Sequence, residues 1–414
     1  MGIWKSVSIV KVERTVDLFV CRVLVYFDDL EPNVDINVHP PFAYDNLFPQ
    51  FPLFLMAKFA QPEQQDYLHV VLSQVFEYLD DRDEVLGSPN PKTFGNLFSC
   101  LLVNNLWRES AVSILWRHPF HRCHRRGGKS LIHTLLSCLD QSERQDLYND
   151  GVFVPAGKYN SPVYDYANFI KSLDYCQLIS SVKSWCKVHL EGGTDESVTA
   201  ILRSILKLMV ARSAHLKTLN IRSAASCNDD LYMLMVEPEI CSLVKPVRNL
   251  LISCYFPKDT FLTALTKRCK NLHSLRIMSL NVDDDKSHLM AQKLALLIES
   301  QRGLKRVTLS KCKSLAAIVI PSLIKQKRTL RQVGFYGVDF EGCRKLDVVK
   351  SCSRLESLSI VDCYNMNFTL ISPLIHNQHK RLQEVTVRNC SPARVSDKLE
   401  AWADMINFRE YHYH

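Results

Sequence analysis

The sequence predicts an α/β protein: a helical N-terminal region leading into a stack of short strand–turn–helix units. Three observations predict it. A pattern of apolar, two variable, apolar, one variable, apolar recurs seven times in the C-terminal half. The copies follow one another at near-constant steps. Upstream of them, apolar residues fall at three- and four-residue steps, the period of an amphipathic helix.

The repeats are Leu216-Leu219-Ile221, Val247-Leu250-Ile252, Leu272-Leu275-Ile277, Leu304-Val307-Leu309, Leu330-Val333-Phe335, Leu355-Leu358-Ile360 and Leu382-Val385-Val387. Their first residues are 31, 25, 32, 26, 25 and 27 positions apart. All but the two longer steps fall within the leucine-rich-repeat range of about 20–29 residues. Three residues past the last apolar position stand Cys312, Cys363 and Cys390, where that consensus has Asn or Cys. Ala224, Tyr255, Leu280 and Val338 occupy the same offset in the other copies. Helix-like stretches separate the strands at His288 to Gln301, around Val348 to Leu355, and at Phe368 to His379, with Pro321 and Pro373 shortening two such stretches. A leucine-rich solenoid is therefore expected over 206–395, with 396–414 as a terminal cap or tail.

The repeated leucines read as core, so binding falls to the variable positions. Arg222, Arg248, Arg276, Arg306, Arg331, Tyr336 and Arg388 are the candidate substrate-binding residues, with Lys305 beside them. A basic face favours an acidic or phosphorylated protein segment. Ordinary solvated charge is the plainer alternative. Nucleic acid is not expected, because Tyr336 alone supplies an exposed-position aromatic on the strands.

In the N-terminal half, Leu68, Val71, Leu72, Val75, Phe76 and Leu79 mark an amphipathic helix. An acidic turn, Asp80 to Glu84, and the breaker Gly87-Ser88-Pro89-Asn90-Pro91 follow. A second apolar helix is expected from Leu97 to Trp116. Here VFEYLDD and LFSCLLVNNLWRESAVSILWRHPF resemble an F-box-like domain, in particular the large expanded group of mycorrhizal fungi. Carrying the likeness are Cys100 to Trp107, Ile114 to Arg117, and the following stretch Ser130 to Leu173. Members of that group continue into leucine-rich repeats.

The resemblance implies docking on the Skp-type adaptor of an SCF-type cullin-RING ubiquitin ligase. It implies contact through Leu68, Leu72, Val75, Phe76, Leu79, Leu101, Leu102, Val103 and Trp107, with the repeats holding a protein substrate for ubiquitin-dependent degradation. Three departures stand against this: Tyr67-Leu68 where the family opens with Leu-Pro, Val70 where an acidic residue is common, and a loop lengthened around Leu86 to Gly95. They support the alternative of a repeat scaffold with a degenerate F-box. The divisions expected are an unassigned extension at 1–55, the F-box-like domain at 56–125, a helical linker at 126–205, then repeats and cap.

Known chemistries find little support. His118, His121, Cys123 and His124 are close enough to suggest zinc, but no second pair follows at a finger spacing. Gly128-Lys129-Ser130 ends like a phosphate loop, yet Cys123 stands where its first Gly belongs. No catalytic residue, metal or cofactor is assigned, and the chain is read as a non-enzyme. A net charge of +8 over 414 residues is too mild to imply nucleic acid. No apolar run of about 18 residues suggests a membrane span. The 15 cysteines, scattered in apolar contexts, read as reduced thiols, consistent with the cytoplasm or nucleus.

Overall fold

The computed structural model describes residues 7–14, 21–27, 34–38, 72–73, 76, 97–98, 100–121, 127–154, 162–190, 193–212, 214–222, 230–253, 259–278, 284–312, 315–343, 346–375 and 381–410. The chain divides into two compact units, residues 1–117 and 118–414.

In the first unit, β1 (Val7–Arg14), β2 (Cys21–Phe27) and β3 (Val34–Val38) pair in that order as an antiparallel sheet. They fall in the stretch that sequence reading leaves unassigned. The helix expected from Leu97 to Trp116 is broken. Leu101–Val103 form a turn, and a new helix, α1 (Asn105–Leu115), starts behind Asn104. The Asn104 side chain accepts a hydrogen bond from the Trp107 amide at 3.0 Å. Asn is a strong N-cap residue, so a polar side chain inside an apolar run restarts the helix here.

The second unit opens with α2 (Gly127–Ser137) and α3 (Gln141–Asn149). Asp140 and Glu143 close a capping box at the start of α3. Next come β4 (Ser172–Asp174), α4 (Tyr175–His189) and α5 (Asp195–Ala211). The linker expected over 126–205 therefore contains the first strand of the sheet. Ile170, Leu173 and Tyr175, all fully buried, reproduce the apolar triplet. Two helices between Tyr175 and Leu216 stretch the spacing and hide the copy.

Seven five-residue strands follow: β5 (Thr218–Arg222), β6 (Asn249–Ser253), β7 (Ser274–Met278), β8 (Arg306–Ser310), β9 (Gln332–Tyr336), β10 (Ser357–Val361) and β11 (Glu384–Arg388). With β4 they form one eight-stranded sheet in sequence order, every pair parallel. A parallel neighbour requires a crossover. Helices α6 (Asp259–Arg268), α7 (Asp284–Glu299), α8 (Ala316–Ser322) and α9 (Phe368–Ile375) supply crossovers, and Asp347–Lys350 makes a single helical turn. Pro321 and Pro373 lie inside α8 and α9, which are correspondingly short.

Register never slips from β5 to β11. Leu219, Leu250, Leu275, Val307, Val333, Leu358 and Val385 stand side by side across the sheet, and so do Ile221, Ile252, Ile277, Leu309, Phe335, Ile360 and Val387. All are buried. Each such side chain contributes about 1.5–3 kcal/mol. Ordering the backbone costs about 1–2 kcal/mol per residue. A unit of 25 to 32 residues cannot recover that alone, so the units stand only by stacking.

The chain leaves β8 to β11 through Lys311, Gly337, Asp362 and Asn389, all left-handed with φ of 51°, 58°, 53° and 51°. Only Gly337 adopts this without steric cost. The next residue turns inward, and Cys312, Val338, Cys363 and Cys390 are buried. The three thiols donate to carbonyls of the preceding strand, Ile277, Phe335 and Ile360. The cysteines thus serve as small apolar residues with one weak donor. Burial pushes the Cys269 thiol up to about 12 and the Cys352 thiol up to about 11, which keeps both protonated.

Two buried glutamines join successive units. Gln301 donates to the carbonyls of Cys269 and Leu297 and accepts from the Leu272 amide. Gln326 donates to the carbonyls of Ile298 and Gln301, both at 2.9 Å, and accepts from the Leu304 amide. At the far edge, α10 (Ala393–Glu410) packs on β11. Its Asn407 amide donates to the Val385 carbonyl and accepts from the Val385 amide, each at 2.9 Å. A side chain thereby stands in for the next strand and closes an edge that would otherwise template pairing.

Two stability measurements follow from this. Gln326→Ala strands the buried Gln301 carbonyl and Leu304 amide and should lower unfolding stability by about 2–4 kcal/mol. Urea denaturation would show it, with the exposed Gln332→Ala within about 0.5 kcal/mol of wild type. Asn407→Leu should cost about 1–3 kcal/mol and produce concentration-dependent scattering from edge pairing. Unchanged stability and scattering would count against the edge-closing role.

Candidate interaction surfaces

Two surfaces offer themselves, one in each unit. In the first, Leu72, Phe76, Leu97 and Cys100 are buried, and Phe76 meets Trp107 edge to face with ring centroids 5.4 Å apart. That aromatic pair holds α1 against the helical segment before it. Leu72 and Phe76, expected as contact residues, lie in the core at 5% and 0% exposure. Leu101, Val103 and Trp107 are half-buried. Leu102 is 77% exposed. Leu68, Val75 and Leu79 lie outside the described residues. Phe98, 54% exposed and four positions before Leu102, is the residue that sequence reasoning missed. Its signal was available: an aromatic one helical turn from an exposed leucine. The turn is tied by the Leu101 amide to the Phe98 carbonyl at 3.1 Å and by Arg108 Nε to the Leu101 carbonyl at 3.3 Å.

In the second unit, side chains on the sheet face opposite the buried rows belong to the variable positions. The predicted substrate-binding residues do not share one patch. Arg276 and Arg306 stand on this face, both half-buried, in β7 and β8. Arg248 and Arg331 are exposed one residue before β6 and β9 begin. Arg331 pairs with Glu356 at 3.0 Å. Arg388 is exposed at the end of β11, three strands from Arg306. Arg222 ends β5, and its side chain lies outside the described residues. Tyr336 is 38% exposed, and its ring lies over Gly334, where a Cβ would stand 2.6 Å from a ring carbon. Gly334 is needed for that close approach.

The residues missed are Lys217 and His273. Each occupies the residue just before the strand, where Arg248, Lys305 and Arg331 also stand. Burial, then Lys305, Arg248 and Arg306, hold the His273 imidazole below the usual histidine range.

The other chemical candidates resolve into packing. His121 Nε2 is 2.7 Å from Ser172 Oγ, the first link of a hydrolytic pair, but Ser172 is completely buried and out of reach of a substrate. His118 packs against His121 edge to face at 5.6 Å. Cys123 and His124 lie outside the described residues, among which no group of three metal-ligating side chains gathers. Gly128, inside α2, faces Ser181 of α4 so closely that a Cβ would fall 2.3 Å from Ser181 Oγ. Its smallness serves helix packing rather than a phosphate. Among the described residues no helix is long and apolar enough to cross a membrane.

No curated protein matches this chain. Residues 69–122 match the family model for the F-box-like domain, so the chain carries an F-box-like domain across the stretch that holds the Phe98–Leu102 turn and α1.

Proposed function

We propose that this protein is the substrate-recognition subunit of an SCF-type cullin-RING ubiquitin ligase. The F-box-like domain would bind a Skp-type adaptor, and the eight-stranded sheet unit, read as a leucine-rich-repeat solenoid, would hold a protein substrate. F-box domains generally bind such adaptors and are typically non-catalytic. The observation that carries the reading is the F-box-like match at 69–122 in one chain with a repeat sheet whose variable face is open. Its work would be proximity: ubiquitin is transferred by other subunits to a substrate held nearby. The cytoplasm or nucleus is the compartment this implies.

The adaptor contact is best placed on Leu102 and Phe98, with Leu101, Val103 and Trp107 beside them. Large exposed apolar residues on one turn are the usual anchors of a helix-face interface. A second reading, a repeat scaffold without a ligase, draws on the Tyr67-Leu68 opening and the lengthened loop before Leu97.

Calorimetry of the full chain with a purified Skp-type adaptor tests both. Leu102→Asp should weaken binding at least about tenfold. Leu296→Asp, a half-exposed leucine on α7 of the other unit, should leave it unchanged. Failure of the folded wild type to bind would leave the scaffold reading.

A further inference from the structure

The residue before each strand is locked in line with its neighbours by the backbone. The Arg248 amide donates to the Lys217 carbonyl at 2.8 Å, His273 to Arg248 at 2.7 Å, Lys305 to His273 at 2.8 Å, and Arg331 to Lys305 at 2.8 Å. Five consecutive rungs of this rim thus read Lys, Arg, His, Lys, Arg. Strand spacing of about 4.8 Å makes a row about 19 Å long, charged on either side of His273, whose imidazole is held toward the neutral form by burial and its cationic neighbours. Arg306 adds a cation on the adjoining row. Glu356 neutralises Arg331 at one end. Lys217, Arg248, Lys305 and Arg306 have no acidic partner among the described residues.

Like charges on adjacent rungs repel and lower stability. The fold gains nothing from lining them up, so their placement points outward. We propose that this rim binds an acidic segment of a protein partner, a run of Asp and Glu side chains laid across the strands. A line of cations is best neutralised by a line of anions, which a stretch of carboxylates supplies and a single anionic group does not. Nucleic acid offers a similar line, but its single strands also seek aromatic platforms. The described rim residues include no Phe, Tyr or Trp, and Tyr336 stands at the opposite end of its strand. The inference rests on reading the sheet unit as the recognition surface and is independent of the adaptor contact.

Fluorescence anisotropy on the full chain decides it, in about 0.15 M salt where distant charges are screened. The probes are a labelled peptide of alternating glutamate and serine, the same peptide with glutamine for glutamate, and an oligodeoxythymidylate of equal charge. The glutamate peptide should bind and the glutamine peptide should not. The double substitution Arg248→Glu and Lys305→Glu should weaken binding about tenfold or more, with a melting temperature no lower than wild type. The control Lys325→Glu and Arg328→Glu makes the same change in net charge at exposed positions on the helical side. It should shift affinity less than about twofold. No binding of the glutamate peptide, equal loss in both doubles, or tighter binding of the oligonucleotide would each overturn the proposal. Adaptor binding measured on the same rim variant separates the two readings. It should stay at the wild-type level, and adaptor failure beside intact peptide binding would remove the ligase while leaving the rim.

Discussion

The stacking of apolar rows across in-register parallel strands is the constraint on which the rest of the sheet unit depends. A five-residue strand places only two side chains on its inner face. Neither is covered until the next strand arrives at the same register and a helix closes over it. A shift by one residue would turn Leu275 and Ile277 outward and bring Ser274 and Arg276 into the core. Register is therefore set by burial, and everything placed outside the buried rows inherits it. Arg248, His273 and Lys305 stand in line because Leu250, Leu275 and Val307 do.

Stacking leaves backbone groups between the units that neither strand nor helix satisfies. The chain answers with a few polar side chains at fixed places. Gln301 and Gln326 reach from one unit to the carbonyls of the unit before. Cys312, Cys363 and Cys390 do so more weakly through their thiols. Asn407 does it where no further strand follows. Buried polar groups are tolerable when every partner is present. These residues hold the stack in register as well as together.

The first unit works differently. Among its described residues, the aromatic pair Phe76 and Trp107 joins two helical segments. Asn104 breaks the apolar run, and the turn before α1 projects Leu102 outward while Cys100 stays inside. Residues adjacent in an apolar motif thus end in opposite environments. This separates what holds the domain from what it can present to a partner.

Much of this was legible in the sequence. The seven apolar triplets identify seven strands, since period-two burial at near-constant spacing has few other solutions. The Cys positions mark the turn off three of them, and the F-box-like stretch is visible in its helix period and its Cys-Leu-Leu-Val-Asn run. The first strand escaped because two helices stretch its spacing, although Ile170, Leu173 and Tyr175 keep the pattern. The break at Asn104 escaped because an N-cap inside an apolar run reads as one polar residue on a helix. Above all, within the seven triplets the sequence by itself determined which residues are core, because hydrophobic periodicity records burial directly. Only the tertiary structure decided which charges are neighbours. Lys217, Arg248, His273, Lys305 and Arg331 each follow the first apolar residue of a triplet, but residues 25 to 32 positions apart do not touch along the chain. They become a line only when hydrogen bonds between strands bring successive units side by side.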